Sequence, residues 1–414
     1  MSTTIFKKFW PAKPRRVYLD HAAATPLQPA VHAVMQTAEA TYPANPSAVH
    51  KEGVAARHAI ETARDRLALT LGIRPAGIVF TASGTESNNL AIIGSVHARH
   101  KAGVTYTNME VLTTKLEHPS VSEAVSHLVS LGVKVQYLAV DSCGRVRLDS
   151  LRSLLSPKTV LISLAYVNSE IGTIQPLGKL ARAIRAYEKE TGVQIVLHAD
   201  GAQAPFWLPC AMSKVPVDIL TLDAGKCGGP KGVGVLAARH GVALTPILFG
   251  GPQESGLRPA TENTPGILGA TEAIVLAQER YELTAKLVAS LRDELLKALL
   301  KCSGVILNGG RKDRIANNIN ISVPGLDSEF LVISLDVVGI ACSTKSACAG
   351  GSGGGSAVVQ AITGNAAAAT STLRLTLGPA TTKADIAFAT KQIIAAIMKL
   401  QVQQSKLTAQ KINA

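Results

Sequence analysis

The sequence predicts an α/β protein with a mainly parallel central sheet sandwiched by helices, followed by a smaller α+β region. Three observations predict this class. Hydrophobic residues make up 47% of the 414-residue chain but aromatic residues only 4%, a composition that suits strands buried on both faces. Apolar, β-branched runs alternate with amphipathic stretches between residues 55 and 240, as in successive βαβ units. After about residue 265 this alternation ends.

The elements of the first part follow from hydrophobic periodicity. Residues 54–71 and 87–101 have the spacing of helices, with apolar positions three and four residues apart. Short apolar runs rich in β-branched residues are typical of buried strands. These runs lie at 77–80, 110–114, 134–140, 160–167, 194–200 and 217–223.

The second part has longer helices and fewer strands. Its predicted elements are a long helix (267–301), strands at 317–323 and 371–377, and a closing helix (383–405). Chains of this length commonly divide into two cores. We therefore expect a large domain over 17–265 and a small C-terminal domain over 266–414, which the N-terminal residues 1–16 join.

Charge, cysteine and histidine usage exclude several classes of partner. The formal net charge is +13, but the basic residues are spread along the chain, so a solvated basic surface is expected rather than a nucleic-acid partner. Attraction to an acidic protein is the alternative.

No apolar run reaches about 18 residues, so no membrane span is expected. The six cysteines form no C-x-x-C pair and no leader is visible, which indicates a reduced, cytoplasmic protein. His97 and His100 have no evident third ligand, so no metal site is expected.

Polar residues follow three of the predicted strands. Asn168, Asp200 and Lys226 each come directly after or at the end of such a run, and the carboxyl ends of parallel strands meet at one edge of a sheet. An aspartate and a lysine on separate strand ends suit pyridoxal 5′-phosphate (PLP). The carboxylate keeps the pyridine nitrogen protonated and the amine forms a Schiff base. Taken singly, such a lysine is usually a surface charge and such an aspartate a cap.

A phosphate site is predicted where residues 83–89 follow a strand and open a helix. Backbone N–H groups near Gly84 and Thr85 would face an anion there, aided by the helix dipole. The dipole contributes only roughly 0.3–1 kcal/mol, so side chains such as Thr85 must add to it. An ordinary helix cap is the alternative.

Ten segments in order resemble the cysteine desulfurase family, which belongs to the class V aminotransferase group of fold-type I PLP enzymes. They extend from about Val17 to Thr382, and their shared order is far more specific than any one of them. The segments are YLDHAAATP (18–26), NPSAVHKEG (45–53), FTASGTESNNLAI (80–92), TKLEHPSV (114–121), VNSEIGTIQP (167–176), HADGAQ (198–203), GKCGGPKGVGVL (225–236), LRPATEN (257–263), STKSACA (343–349) and LRLTLGPATT (373–382).

The resemblance implies roles around the cofactor ring. Lys226 would carry PLP, and Asp200 would pair with the pyridinium nitrogen. His118 would stack on the ring and assist proton transfer. Asn168 and Gln203 would bond the phenolic oxygen of the cofactor.

It also implies a phosphate site and a substrate site. Gly84 and Thr85 would hold the phosphate, joined by Thr261 of the neighbouring subunit in a homodimer. Arg374 would bind the carboxylate of the L-cysteine substrate, with Asn168 nearby; a planar, permanently charged guanidinium suits that task.

Cys348 stands at the place of the family's sulfur-accepting cysteine. The thiolate is the reactive form, and a free thiol has a pKa of about 8.5, so Cys348 must lose its proton near the cofactor. It would attack the substrate sulfur and carry the persulfide to an acceptor; the glycines that follow it in AGGSGGGSA (349–357) would permit this movement. A small buried hydrophobe is the alternative.

Two positions depart from the family pattern. The family commonly has a serine and a histidine where this chain has Asp223 and Gly225, and both of those residues help to bind the phosphate. A carboxylate would repel the phosphate, so we expect weaker phosphate contacts while Lys226 is retained.

The implied activity is conversion of L-cysteine to L-alanine with a persulfide formed on Cys348. The sulfur would pass to an iron–sulfur scaffold or to another acceptor protein. Three alternatives stay open: a selenocysteine lyase, a cysteine lyase that releases pyruvate and sulfide, and a catalytically weakened docking protein on the same fold.

Overall fold

The computed structural model describes residues 15–345 and 355–412, with side chains described up to residue 405. The strands of this part are β1 (Val17–Tyr18), β2 (Ile78–Thr81), β3 (Glu110–Thr113), β4 (Lys134–Tyr137), β5 (Thr159–Ala165), β6 (Val196–Asp200), β7 (Ile219–Asp223), β8 (Gly234–Ala238), β9 (Ile306–Leu307), β10 (Asn318–Ser322), β11 (Ile340–Ala341) and β12 (Thr372–Thr376). The helices are α1 (Pro29–Thr41), α2 (Lys51–Leu71), α3 (Gly84–Lys101), α4 (Pro119–Ser130), α5 (Leu148–Leu154), α6 (Leu177–Thr191), α7 (Thr264–Leu299), α8 (Ser328–Val337), α9 (Ala357–Thr363), α10 (Ala366–Ala369) and α11 (Lys383–Ile412).

A seven-stranded sheet in the order β2-β8-β7-β6-β5-β3-β4 forms the centre of the fold. The strands from β7 to β4 all run parallel, whereas β8 is antiparallel to both of its neighbours. The predicted α/β class with a mainly parallel sheet is therefore confirmed. Strand β8 was missing from the prediction, because its small residues (GVLAA) lack the β-branched signal of the other strands.

The strands are buried on both faces, as their composition predicts. In β5, Leu161 joins a hydrophobic core with Ile92 of α3 and Val125 of α4. The next residue, Ile162, joins the main core that includes Leu180 of α6. Successive side chains of a strand point to opposite faces, so the central strands have helices on either side.

The C-terminal part contains a second, antiparallel sheet in the order β12-β10-β9. Helix α7 packs against α1 and α2 and also against α11 and β10, so it connects the two sheets. Near the N-terminus, β1 pairs in parallel with β11, and Arg15 and Arg16 form ion pairs with Asp385 and Asp336. These contacts hold residues 15–18 against α8, β11 and α11. The boundary between residues 265 and 266 stays a prediction.

None of the described helices combines the length and the hydropathy needed to cross a bilayer.

Candidate active site

A cavity of about 180 Å³ opens at the carboxyl edge of β5, β6 and β7. It is lined by eight of the ten predicted site residues: Gly84, Thr85, His118, Asn168, Asp200, Gln203, Lys226 and Arg374. Thr261 does not line it, and Cys348 lies outside the described residues. The strand-end residues therefore converge as the parallel topology predicts.

Asp200 ends strand β6 and is almost fully buried. Its Oδ1 accepts a hydrogen bond from the Ala202 N–H (3.0 Å), and its Oδ2 accepts one from Nδ2 of Asn88 (2.8 Å). The orientation of Asn88 is fixed in turn, because its Oδ1 accepts a hydrogen bond from the Thr221 hydroxyl (2.6 Å). The carboxylate is thus held in one direction by buried donors, a position suited to a cationic ring nitrogen.

His118 is the N-cap residue of α4. Its Nδ1 lies 3.1 Å from the backbone N of Ser120 and 2.8 Å from the Ser120 hydroxyl, which accepts a hydrogen bond from Nδ2 of Asn88. Since a backbone N–H can only donate, Nδ1 is the acceptor and the neutral ring carries its proton on Nε2. Burial lowers the pKa of His118, although the carboxylate of Asp200 opposes the shift. The ring is therefore neutral near pH 7.

Lys226 ends a short 3₁₀ turn that follows β7. Its Nζ donates to the carbonyl of Ala23, in the loop after β1. Thr25 of the same loop donates through its hydroxyl to the Gly225 carbonyl (3.0 Å) and accepts from the Gly228 N–H (2.7 Å). These bonds fix the lysine turn against the N-terminal loop, so the amine reaches into the cavity from a rigid support.

Two amide side chains, those of Asn168 and Gln203, also line the cavity. Nδ2 of Asn168 donates to the Leu116 carbonyl (2.8 Å), and its Oδ1 accepts from the backbone of Glu170 and Ile171. Nε2 of Gln203 donates to the Ala22 carbonyl (2.9 Å). Each NH₂ group has a second proton, and that proton is what either residue could offer to a ligand oxygen.

Arg374 comes from β12 of the second sheet and is 1% exposed. Its Nη2 donates to Oδ1 of Asp20 (2.9 Å) and its Nη1 to the Ser169 carbonyl (3.2 Å). Its Nε is buried and has no hydrogen-bond partner within the described chain. A guanidinium with unused donor capacity at the cavity wall is suited to bind a carboxylate.

The predicted anion site holds an acidic side chain. Ser83 caps α3 by accepting a hydrogen bond from the Glu86 N–H (3.1 Å), which explains why this helix starts three residues earlier than predicted. Oδ2 of Asp223 accepts from the Gly84 N–H (3.3 Å), and Oδ1 accepts from the Gly225 N–H (2.8 Å). The Asp223 carboxylate therefore lies at the N-terminus of α3, beside Thr85.

Sequence reasoning missed several residues of this site. Asn88 and Ser120 link Asp200 to His118, yet each lies inside a quoted motif where a polar residue is unremarkable. Glu117, which directly precedes the cavity residue His118, accepts from the Thr114 hydroxyl (2.6 Å) and the Ala165 N–H (2.7 Å). Burial raises the pKa of Glu117 to about 8, and the charge of Asp200 adds to the shift. The sequence signal available was position: Glu117 and Ser120 are close to His118 in sequence, and Asn88 lies near the start of α3.

The arrangement fits PLP at the ring and is less favourable at the phosphate. A lysine amine, a buried oriented carboxylate, a neutral imidazole and an arginine guanidinium converge in one cavity. The Asp223 carboxylate instead occupies the end where a phosphate would bind. Within the described ranges, no group of three or more His, Cys, Asp or Glu side chains is placed to hold a metal ion.

Comparison with known proteins agrees with this chemistry. The family model described as aminotransferase class-V matches residues 17–388. A cysteine desulfurase IscS of Dictyoglomus turgidum is 38% identical over 400 residues, which cover 96% of this chain and 99% of the relative. One of Methanosarcina thermophila is 37% identical, covering 90% of this chain and 89% of the relative. Among solved structures, a NifS-like protein superposes with a TM-score of 0.85 at 31% identity, covering 93% and 100% of the two chains. SspA in complex with cysteine superposes with a TM-score of 0.74 at 32% identity, covering 88% and 99%.

Proposed function

The chain belongs to the aminotransferase class-V family, and from that premise we propose that it is a PLP-dependent cysteine desulfurase that converts L-cysteine to L-alanine. One observation carries the proposal: Lys226, Asp200, His118 and Arg374 line a single cavity. Relatives of 34–38% identity over most of the chain are named cysteine desulfurases, which supports the same reaction here.

The roles of the residues follow from their surroundings. When bound, PLP supplies an electron-withdrawing ring that stabilises negative charge on the carbon atoms of the attached amino acid. Lys226 would hold the cofactor, and Asp200, oriented by Asn88, would keep a ring nitrogen protonated. Nε2 of neutral His118 would move protons at the substrate. Arg374 would bind the substrate carboxylate and so orient it.

Cys348 would receive the sulfur, and the ends of its segment support this role. On one side, Ser343 exchanges two backbone hydrogen bonds with Arg374 (2.7 and 3.2 Å). On the other, the Ser356 hydroxyl donates to Glu170 (2.6 Å), two residues after Asn168. Both described ends are therefore fastened to residues beside the cavity.

The overall transfer balances. The C–S bond of L-cysteine breaks, its sulfur forms an S–S bond with the Cys348 thiolate, and a proton completes the methyl group of L-alanine. A reductant or an acceptor thiol then takes the sulfur from Cys348.

The test is formation of alanine from L-cysteine by the PLP-loaded protein with a reductant, comparing the wild type with Cys348→Ala. Alanine from the wild type but little from the variant is expected. Cys342→Ala is the matched control, because Cys342 is close in sequence and burial raises its pKa to about 12. Pyruvate in place of alanine would favour the lyase reading. Neither product, despite bound PLP, would favour another substrate or a docking role.

We also propose that the enzyme is a homodimer. Thr261 does not line the cavity of its own chain. Its hydroxyl lies 3.5 Å from Nδ2 of Asn45, and an added Cβ at Gly250 would lie 2.8 Å from Pro259, so the segments that hold Val49 and Phe249 are close to it; these two side chains are 92% and 87% exposed. These facts support a partner surface at which Thr261 serves the other subunit. The test mixes Lys226→Ala with Thr261→Ala. In a mixed dimer one site has both residues intact, so activity should reappear; no recovery after verified subunit exchange would contradict the shared site.

The physiological setting is proposed as the cytoplasm, with an iron–sulfur scaffold or another sulfur-acceptor protein as partner. The cysteines described are all free thiols, which supports a reducing compartment. Transfer of labelled sulfur from the persulfide protein to a candidate scaffold would test the acceptor directly.

A further inference from the structure

The N-terminus of α3 combines two features that oppose each other. Its free N–H groups and dipole favour an anion, and it borders the cavity through Gly84 and Thr85. The Asp223 carboxylate already lies there, with Oδ2 at 3.3 Å from the Gly84 N and Oδ1 at 2.8 Å from the Gly225 N. The protein thus supplies its own anion to the anion site.

We propose that Asp223 competes with the phosphate group of the cofactor for this site, so that the chain discriminates weakly between PLP and its dephosphorylated form, pyridoxal. The inference rests on the proposed function, because it assumes this cofactor in this cavity. Lys226, Asp200 and His118, which would contact the aldehyde and the ring, make no hydrogen bond to Asp223 among the described contacts. Recognition of the ring is therefore separable from recognition of the phosphate.

Charge supports the competition. A phosphate ester carries about −1.5 to −2 near neutral pH, and at this site it would stand beside a carboxylate. Glu86 of the same helical turn adds another negative charge, but Arg258 offsets it at 3.1 Å. Arg258 is thus engaged with Glu86 rather than with Asp223.

Local sterics show that the position of Asp223 is built into the site. A Cβ added at Gly225 would lie 3.2 Å from Oδ1 of Asp223 and 3.6 Å from Cγ of Lys231. A Cβ at Gly84 would lie 3.1 Å from Oδ2 of Asp223. The two contacts with Asp223 would be tighter than ordinary packing. The absence of a side chain at Gly84 and Gly225 therefore leaves room for the carboxylate.

The experiment titrates the apoprotein with PLP and with pyridoxal, which share the ring and aldehyde and differ in the phosphate. Visible absorption of the lysine-bound cofactor gives the affinity. Asp223→Asn removes the charge while keeping the shape, and we expect it to raise PLP affinity on the order of tenfold or more, the effect of one charged hydrogen bond. Its effect on pyridoxal should stay below about twofold, since pyridoxal has no phosphate to repel. Each ratio compares variant with wild type for one ligand, so differences in the solution chemistry of the two aldehydes cancel.

Glu86→Gln is the matched control, because it removes a carboxylate from the same turn but Glu86 does not line the cavity. It should leave the PLP-to-pyridoxal ratio unchanged. Asp223→Ser is a second variant, with circular dichroism to verify that both fold. Equal gains for the two ligands, or no gain for PLP, would overturn the competition while leaving the desulfurase proposal intact. Failure of both ligands to bind the wild type at Lys226 would overturn the proposed function itself.

Discussion

Nη2 of Arg374 lies 2.9 Å from Oδ1 of Asp20, although 354 residues separate them in the chain. Arg374 belongs to the second sheet and Asp20 to the loop after β1 that also contacts Lys226 through Ala23. The side chains of Arg374 and Asp20 are 1% and 17% exposed. Their ion pair therefore joins the loop that contacts Lys226 to the proposed carboxylate-binding group. We expect the position of the substrate relative to the cofactor to depend on this ion pair.

Replacement of Arg374 by lysine should impair substrate binding. Lysine keeps the charge but loses the planar fork, and a charged hydrogen bond is worth roughly 1.5–3 kcal/mol, so KM for L-cysteine should rise about tenfold to a hundredfold. Steady-state kinetics measure the effect. Arg292→Lys is the control, since Arg292 is also buried but donates to Asp293 and the Ile315 carbonyl. Similar KM values for Arg374→Lys and wild type would exclude Arg374 from the substrate site.

Replacement of His118 by glutamine should reduce turnover while leaving PLP bound. General acid–base groups contribute about 10²–10⁴-fold, so kcat should fall by that range with little change in the absorption of bound cofactor. Burial lowers the pKa of His118, so an NMR titration of its ring in the free protein should have its midpoint below the ordinary value of about 6.5. His127→Gln, at an exposed position of the same helix, should keep full activity. An NMR midpoint above about 6.5 would contradict the neutral state of the His118 ring.

The fold class was predictable because parallel strands that are buried on both faces consist of continuous apolar, β-branched runs. The branched side chains of the run VLISLAYV (160–167) predict a strand, and β5 (Thr159–Ala165) overlaps this run. Strand β8 was missed because three of its five residues, Gly234, Ala237 and Ala238, are small. At Gly234 the sheet approaches the α3 cap so closely that an added Cβ would lie 2.3 Å from the backbone of Ser83. This close approach of two backbones favours glycine over a β-branched residue at that position.

Site residues were predictable where a strand end or a motif indicated them. Lys226, Asp200 and His118 are in matching segments, and the structure brings them to one cavity. The links between them depend on contacts between residues that are distant in sequence. Asn88 donates hydrogen bonds to Asp200, 112 residues away, and to Ser120, 32 residues away. Local periodicity carries no information about such contacts, so Asn88 reads as one polar helix residue among several.

Disruption of the Arg64–Glu254 pair should destabilise the fold. Glu254 is 8% exposed, accepts from Arg64 at 2.7 and 2.9 Å, and also accepts from the Phe80 N–H of β2. Glu254→Gln removes the buried counter-charge of Arg64 and leaves it only the more exposed Glu61 at 3.1 Å. The loss of unfolding free energy should therefore approach about 3–5 kcal/mol, which is what breaking a buried pair costs. Urea unfolding measures the loss. Arg147→Gln breaks an exposed pair with Asp149 and should leave the urea midpoint unchanged; an equal shift for both would contradict the importance of burial.

Replacement of Glu117 by glutamine should change how stability depends on pH. The pKa of Glu117 is raised from 4.5 to about 8, chiefly by burial. Between these values the folded protein holds a proton that the unfolded chain has released, so the wild type loses stability as pH rises, at up to roughly 1.4 kcal/mol per pH unit. Glutamine does not titrate and can still accept from the Ala165 N–H and donate to the Thr114 hydroxyl. The two proteins should therefore be most alike near pH 4.5, and the variant should gain relative stability up to about pH 8 and no further. Urea unfolding across this range measures the difference, with Glu123→Gln, an exposed position on α4, as control. Parallel pH profiles for wild type and Glu117→Gln would show that Glu117 ionises as an ordinary carboxyl group despite its burial.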